Sequence, residues 1–335
     1  MLLTQSGPTN LITHPMRTGM LTARASRIKI SPVEKLNNAF AIGDALTFRE
    51  MAPGMICARI ETETCSAEVC LQGAHITHWQ PEGAMPVLFT SAQNRYVAGE
   101  PIHGGIPVIF PWFGLYRRTR KEGVKYPLHG FARTQNWQVR SAALRNGVIE
   151  MVFLLKASDA SRRVGFDCFR VEYTVRFGRE LALEMRVENR GFETLTMEEA
   201  LHPHFAVHNV RQTAVEGLEN AEYLDRTNPS ACKVQKQAAI GFSGRTDSVY
   251  IDTAAACIVR DEVDGRRIQI TKEGSDSTLV WNPGEESDAD TSGFTSKEWN
   301  RHVGLGVANA HTNTRYLQAS GAQHTMKARI SLLPE

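Results

Sequence analysis

The sequence predicts an all-β protein built as a large antiparallel sandwich, and three observations support this. Apolar and polar residues alternate over residues 171–177 and again over 181–187, with Gly178 in the turn between them, as in a hairpin of two half-buried strands. No stretch of a dozen residues keeps the apolar spacing of an amphipathic helix. Further alternating runs, separated by clusters of Gly, Pro, Asn and Asp, are residues 56–61, 148–155, 267–271 and 325–332.

The composition is that of an ordinary globular protein, and it excludes several classes. The 335 residues are 42% hydrophobic and 22% charged, and 38 basic and 36 acidic side chains leave a formal charge of +2. No run of about 18 apolar residues is present, so we expect no membrane-spanning helix. Because Lys and Arg form no block dense enough to follow a phosphodiester backbone, we expect no nucleic-acid partner.

The cysteines and the N-terminus bear on location and domain organisation. Six cysteines without a C-x-x-C pair argue against a zinc ribbon and a dense disulfide framework, so we expect reduced thiols in the cytoplasm. Residues 1–30 lack Asp and Glu, and we expect a flexible extension there, or a start at Met16 or Met20, with a targeting segment as the alternative. Residues 31–335 are expected to form one β domain, active as a monomer.

Two segments are richer in His, Arg, Gly and aromatic residues than ordinary strands. Residues 101–114 join paired glycines to prolines and aromatic rings, which lets backbone approach a ligand and gives it a flat wall. Residues 127–137 contain His129, which can titrate near neutrality, and Arg133, a permanent cation that can hold a phosphate or carboxylate. A purely structural loop is the alternative for each segment.

A third segment, residues 198–208, carries three histidines. On an extended strand His202 and His204 would face the same side, a spacing that suits either proton transfer or, with His208 or another ligand, a metal. Pro203 disfavours a central strand, so shared facing is not assured. Proton transfer, metal binding and a structural role all stay open for this segment.

Together these segments resemble the hexose-6-phosphate 1-epimerase group of the aldose 1-epimerase (mutarotase) superfamily, from about Asn37 to the C-terminus. The motifs are short, and their order and spacing carry the resemblance. They are residues 73–75 (GAH), 104–107 (GGIP), 111–114 (PWFG), 129–133 (HGFAR), 200–205 (ALHPHF), 217–219 (GLE), 246–250 (TDSVY) and 281–283 (WNP).

The resemblance implies a galactose-mutarotase-like antiparallel β supersandwich with an open sugar-binding face. It also implies interconversion of α and β anomers by ring opening without a cofactor. A carboxylate takes the proton of the anomeric hydroxyl while a histidine, here His202, protonates the ring oxygen. Arg133 would belong to an arginine pair that holds the phosphate of a sugar phosphate. The other substrate contacts that the resemblance implies are His103, His129, Asp247, Trp112 and Trp281, with no metal ligand.

Two positions depart from the family pattern. His103 stands where the family has the second phosphate arginine, which weakens the expected preference for phosphate. Gly306 stands where the family has the glutamate that serves as general base, and a glycine accepts no proton. The candidate replacements nearest in sequence are Glu285, Glu286, Asp288 and Glu298. Glu199, just before His202, is a further candidate, although its odd offset on a strand would aim it at the opposite face.

Three readings of the sequence follow. The first is a sugar-phosphate 1-epimerase with an altered base, for which Gly306→Glu should raise the exchange rate. The second is a carbohydrate-binding relative that keeps the pocket but has lost turnover. The third is a metalloenzyme that uses His202, His204 and His208.

Overall fold

The predicted hairpin forms the middle of the larger sheet. The structure is a computed structural model that describes residues 30–228, 232–286 and 293–334. Strands β8 (Phe169–Phe177) and β9 (Leu181–Asn189) pair antiparallel, and every second side chain along both is buried. The alternation therefore places one face of this hairpin in the core, as the period of two predicts.

Within the described residues, nine strands form this sheet, and every pairing in it is antiparallel. In spatial order they are β16 (Ala239–Gly241), β13 (Thr213–Glu216), β18 (Cys257–Asp261), β19 (Arg266–Glu273), β23 (Gln323–Leu333), β9, β8, β7 (Val148–Lys156) and β6 (Gln138–Arg145).

A second sheet carries the residues that the sequence analysis singled out. Its described strands, also antiparallel, are β15 (Cys232–Val234), β14 (Glu222–Asp225), β17 (Thr246–Tyr250), β20 (Ser277–Asn282), β21 (His302–Asn309), β11 (Glu199–Leu201) and β5 (Val108–Ile109), in that order, and β12 (His204–Ala206), which pairs with β21.

Smaller elements complete the domain. A four-stranded sheet contains β1 (Leu46–Ala52), β2 (Met55–Glu61), β3 (Cys65–Cys70) and β4 (His75–Pro81), and β10 (Leu195–Met197) pairs with β22 (Arg315–Leu317). The helices are α1 (Pro32–Phe40), α2 (Asp159–Arg163) and the 3-10 turns Ala132–Thr134, Val210–Gln212, Trp299–Arg301 and His311–Asn313. The all-β antiparallel prediction is confirmed, and α1 is a short helix that the sequence analysis did not expect.

The two faces of the second sheet pack against different clusters of side chains. Alternate side chains such as Leu201, Val280 and Leu305 belong to the large core that the bigger sheets share. Their sequence neighbours, among them Ala200 and Leu279, belong to a separate small apolar cluster on the opposite face. We call this second face the site face, because the candidate functional residues lie on it.

The structure contradicts one expectation about the cysteines. Cys57 and Cys70 lie opposite each other on β2 and β3 and are joined in a disulfide, whereas reduced thiols were expected. Partners so far apart in sequence are brought together by strand register, which cysteine spacing does not reveal. The expected cytoplasmic location stays a prediction.

The domain boundaries are described only in part. From Pro32 to Glu335 the chain forms one compact unit. The predicted extension at residues 1–30 lies outside the described residues except for its last residue. In the part of the chain that is described, no helix is both long and apolar enough to cross a membrane.

Candidate active site

His202 lies directly against two glycines of the neighbouring strand. A β-carbon on Gly304 would stand 2.8 Å from Nε2 of His202, and one on Gly306 would stand 2.8 Å from its Cδ2 and 2.9 Å from the carbonyl oxygen of Leu201. Nε2 is buried and has no hydrogen-bond partner among the described residues. Burial, with a smaller contribution from nearby positive charge, lowers the pKa of His202 to about 4. The imidazole thus occupies space that side chains on β21 would fill.

Asp247 lies on the same face, on β17, two strands from Gly304 on β21. It is opposite Trp281 on β20, and Trp281 is opposite Gly304 on β21. Residues directly opposite in paired strands point to the same face of a sheet. Asp247, Trp281, Gly304 and, beside the glycine, His202 therefore form one continuous row across the site face.

The carboxylate of Asp247 is held by an arginine that the sequence analysis missed. Oδ1 accepts a hydrogen bond from Nη1 of Arg226 at 3.3 Å, while Oδ2 lies 3.8 Å from Nη2 of the exposed Arg245. Burial raises the pKa of Asp247, and the two arginine charges offset part of that rise. Burial of a carboxylate without full compensation makes it a better proton acceptor than an exposed aspartate.

Arg226 reaches further into the site than its contact with Asp247. Its guanidinium lies over the ring of Phe113, 4.9 Å from the centroid, and a β-carbon on Gly114 would stand 3.1 Å from its Nη2. Its charge adds to the burial that lowers the pKa of both His129 and His202. No local motif marks Arg226; its importance comes from the pairing of β14 with β17.

His129 is held in an uncommon backbone conformation. Its φ is 62°, in the left-handed region that residues with side chains rarely adopt. The backbone N–H of His129 donates to Gly114 O at 2.8 Å, and Nδ1 accepts from Gly114 N at 3.1 Å. Gly130, which follows, has no room for a side chain, because a β-carbon would stand 2.1 Å from Phe110 O. The ring of His129 is therefore fixed, with Nε2 as its donor when neutral.

Arg133 lies next to His129. It is half-buried, and its Nη2 donates to Leu128 O at 3.1 Å, while its Nε is buried without a partner among the described residues. Burial lowers the pKa of Arg133 to about 10, so the group stays cationic at neutral pH. Its charge contributes, after burial, to the lowered pKa of His129 and of His103.

His103 lies at the edge of this group. Its backbone N–H donates to Oδ1 of Asn94 at 2.9 Å, and its ring lies edge-on to Phe294 with centroids 6.1 Å apart. His103 lines an open cavity of about 470 Å³ together with Arg95 and Glu100. Burial lowers the pKa of its imidazole, so this side chain does not carry the permanent charge that an arginine would.

The two predicted tryptophans have different positions. Trp281 is half-buried on the site face, with its ring centroid 6.4 Å from that of His202 and 5.5 Å from that of His204. Trp112 is only 3% exposed and donates from Nε1 to Pro127 O at 2.9 Å. The aromatic rings around Trp112 are those of Tyr116, Tyr126, Phe131 and Phe166.

The predicted role of Trp112 as a sugar platform does not fit this position. A ring packed in the core on all these sides offers no face to a pyranose. Its neighbour Phe113 contacts the site instead, with its ring 4.9 Å from that of His129. Adjacent residues in extended chain point to opposite sides, which the aromatic composition of the segment does not reveal.

None of the described carboxylates that the sequence analysis proposed as replacements faces His202. Glu199 is fully buried on the core side, where it accepts from Asn309 at 2.8 Å and lies 3.0 Å from His324. Glu298 accepts from Ser91 and from the backbone N–H groups of 92 and 295. Those contacts hold the segment before β21 in place.

The remaining candidates are also accounted for. Glu285 is exposed and pairs with Arg211 at 2.6 Å, and Glu286 is exposed. Asp288 lies outside the described residues. The described candidates for a proton acceptor are thus exposed or engaged away from His202.

The metalloenzyme reading gains no support from the arrangement of the histidines. His208 is paired with Asp264 at 3.3 Å on a half-exposed side chain. Within the described residues, the group whose ligand atoms are mutually close enough for a metal consists of Cys57, Glu68 and Cys70, and two of these form the disulfide.

Comparison with known proteins agrees with this architecture. The aldose 1-epimerase family profile matches residues 57–331. The chain is 31% identical over 219 residues to a protein of Escherichia coli K12, covering 65% of this chain and 71% of the relative, and 29% identical over 218 residues to one of Salmonella typhimurium, covering 65% and 71%. Both relatives carry the name "Putative glucose-6-phosphate 1-epimerase".

Solved structures share the fold. The crystal structure of "a putative mutarotase" from Salmonella typhimurium superposes with a TM-score of 0.79 at 23% identity, covering 88% of this chain and 96% of that chain. A galactose mutarotase-like protein from Clostridium acetobutylicum gives a TM-score of 0.69 at 12% identity, covering 87% and 98%. The predicted galactose-mutarotase-like fold is thereby confirmed. From the extent of the family match, the chain belongs to the aldose 1-epimerase family and is an isomerase of the mutarotase type.

Proposed function

We propose that this protein interconverts the α and β anomers of a hexose 6-phosphate. The observation that carries the proposal is the assembly of His202, His129 and Asp247 around Arg226 on one face of the second sheet. Ring opening of a hemiacetal requires a proton acceptor and a proton donor within reach of the same sugar. The names of the two bacterial relatives support the same reaction.

The preference for a phosphorylated sugar rests on the cations near His129. Arg133 is a cation with a buried, unpartnered Nε, and an arginine presents a fork of donors that fits phosphate oxygens. His103, beside it, carries little charge at neutral pH because burial lowers its pKa. We therefore assign phosphate recognition mainly to Arg133 and a neutral hydrogen-bonding role to His103.

His202 is the acid in this proposal. It protonates the ring oxygen as the bond from that oxygen to C1 breaks, and rotation about C1–C2 before reclosure gives the other anomer. Trp281 offers the face of its half-buried ring to the apolar side of the pyranose. No cofactor takes part, and the enzyme is proposed to act as a cytoplasmic monomer.

Anomer exchange by NMR tests this function. Glucose 6-phosphate is equilibrated with and without protein, and exchange between its anomeric signals is compared with the rate in buffer. We expect faster exchange with the wild type and the buffer rate with His202→Ala. Glu285→Gln, a change at an exposed residue whose carboxylate pairs with Arg211, is the control that keeps the wild-type rate.

A second candidate function follows from Gly306. A relative that binds the sugar phosphate without turning it over would show saturable binding by calorimetry together with exchange at the buffer rate. That result would replace the epimerase proposal with the binding function.

A further inference from the structure

The family reaction needs a base, and the position that supplies it in the family is Gly306 in this chain. The inference below rests on the proposed function and names the group that takes over this step. The carboxylates of Glu199, Glu298 and Glu285 are engaged elsewhere, as their hydrogen bonds and ion pairs show. Glu198, the neighbour of Glu199, accepts from the backbone N–H groups of 113 and 311, both at 2.8 Å, and is committed to those loops.

Asp247 differs from these carboxylates in where it lies. It belongs to the row that runs through Trp281 and Gly304 to His202, so its carboxylate shares the site face with the imidazole. Two strand spacings of about 4.8 Å separate its backbone from that of Gly304. Nε2 of His202 lies against that glycine, since a β-carbon there would stand 2.8 Å from it, and Trp281 lies between Gly304 and Asp247 in the row.

The hydrogen bonds of Asp247 leave one oxygen available. Arg226 engages Oδ1 at 3.3 Å, and the contact of Oδ2 with the exposed Arg245, at 3.8 Å, is too long for a hydrogen bond. Arg226 is anchored at both ends, since its backbone N–H donates to Asp247 O at 2.8 Å and its guanidinium packs on Phe113. It can thus fix the orientation of the carboxylate.

We propose that Asp247 is the general base of this enzyme in place of the carboxylate missing at position 306, and that Arg226 is its positioning residue. Asp247 Oδ2 takes the proton of the anomeric hydroxyl, and the electron pair of that O–H bond forms the C1 carbonyl. The C1 bond to the ring oxygen breaks, its electrons remain on that oxygen, and His202 supplies the proton that neutralises it. Reclosure after rotation about C1–C2 returns both protons.

Adding a small carboxylate to a variant that lacks Asp247 tests whether this residue acts as a base or only binds the substrate. Asp247→Ala removes the proton acceptor and leaves a space at its end. We expect kcat to fall about 10²-fold or more with a much smaller change in KM. Added formate or acetate should restore part of the rate by entering that space. Asp252→Ala, which removes a carboxylate bonded to Asn313 outside the row, should keep the wild-type kcat and show no response to formate.

The pH profile tests Arg226. The charged groups that face Asp247 are Arg226 and Asp225 from the end of β14 and Arg245 from the start of β17, while β20 contributes the neutral Trp281. Arg226 lowers the pKa of both Asp247 and His202. In a plot of kcat against pH for Arg226→Met, the limb set by Asp247 and the limb set by His202 should therefore both move to higher pH. Arg226→Lys should move both limbs part of the way back.

Each outcome decides the inference. Loss of kcat with rescue by formate, together with the shifted profile, supports it. An unchanged kcat in Asp247→Ala, or a raised KM with no rescue, overturns it and leaves the epimerase function intact. A lower rate in Arg226→Met without any shift of the profile overturns the positioning role. A wild type that does not accelerate exchange overturns the proposed function and this inference with it.

Discussion

A β-carbon on Gly306 would stand 2.8 Å from Cδ2 of His202 and 3.1 Å from its Cα. The ring of the proposed acid and any side chain at position 306 therefore compete for the same space. The sequence alone suggested that a glutamate at this position would restore the base. The structure shows that this substitution also carries a steric cost.

Gly306→Glu and Gly306→Ala are both expected to destabilise the fold, by about 1–3 kcal/mol, because overpacking must displace His202 or the Leu201 carbonyl. Gly306→Glu is accordingly expected to lower the exchange rate rather than raise it. Urea unfolding and NMR exchange measure the two effects. Gly241→Ala is the matched control, since a β-carbon there meets no described atom within 4 Å. A Gly306→Glu variant of full stability and higher rate would contradict this expectation.

Exchange is expected to accelerate as the pH is lowered from 7 towards 5. Burial holds the pKa of His202 at about 4, so the protonated fraction of this acid grows about tenfold per pH unit above that value. The rate should fall again once the pH drops through the pKa of Asp247. The measurement is exchange against pH with the buffer rate subtracted at each point. A rate that rises steadily above pH 7 would argue against His202 as the acid.

Buried His302 makes the fold sensitive to acid. Burial lowers its pKa from 6.5 to about 4, so the unfolded chain binds a proton more readily, and stability falls as the pH drops through this window. The effect is about 2 kcal/mol at pH 5. His302→Asn should reduce the slope of unfolding free energy against pH between 6.5 and 4, and buried His202, with the same lowered pKa, maintains part of it. The exposed His208, changed in the same way, serves as the comparison, and equal slopes in all three proteins would refute the assignment.

Phosphate selectivity should respond to the cations beside His129. Arg133→Gln is expected to weaken binding of glucose 6-phosphate about tenfold or more while leaving glucose nearly unaffected, because a charge-assisted contact is lost. His103→Arg should act in the opposite direction by adding a permanent charge. Calorimetric titration with each sugar gives the two dissociation constants, and their ratio measures the selectivity for phosphate. Equal losses for the two sugars in Arg133→Gln would indicate a structural role instead.

The sequence was sufficient to predict the sheets, since alternation along strands such as β8 directly reports which side chains are buried. It also singled out His202, His129 and Asp247 as candidates, because they lie in short distinctive motifs. Arg226 was not predicted, because its role depends on the pairing of β14 with β17. The residues around Arg226 in the sequence do not indicate which strand pairs with β14. Trp112 was assigned to the wrong face for a related reason, because an irregular loop has no fixed period from which to infer direction.

The row that links Asp247, Trp281 and Gly304 has an evolutionary consequence. Cross-strand neighbours stay in line only while the strands keep their register, and a shift by one residue turns a side chain to the opposite side of a sheet. Insertions or deletions within β17, β20 or β21 would therefore move the side chains of this row out of line. Descendants of this protein can therefore change their chemistry by exchanging one side chain for another at fixed places, and at the two glycines such an exchange must be accompanied by movement of His202.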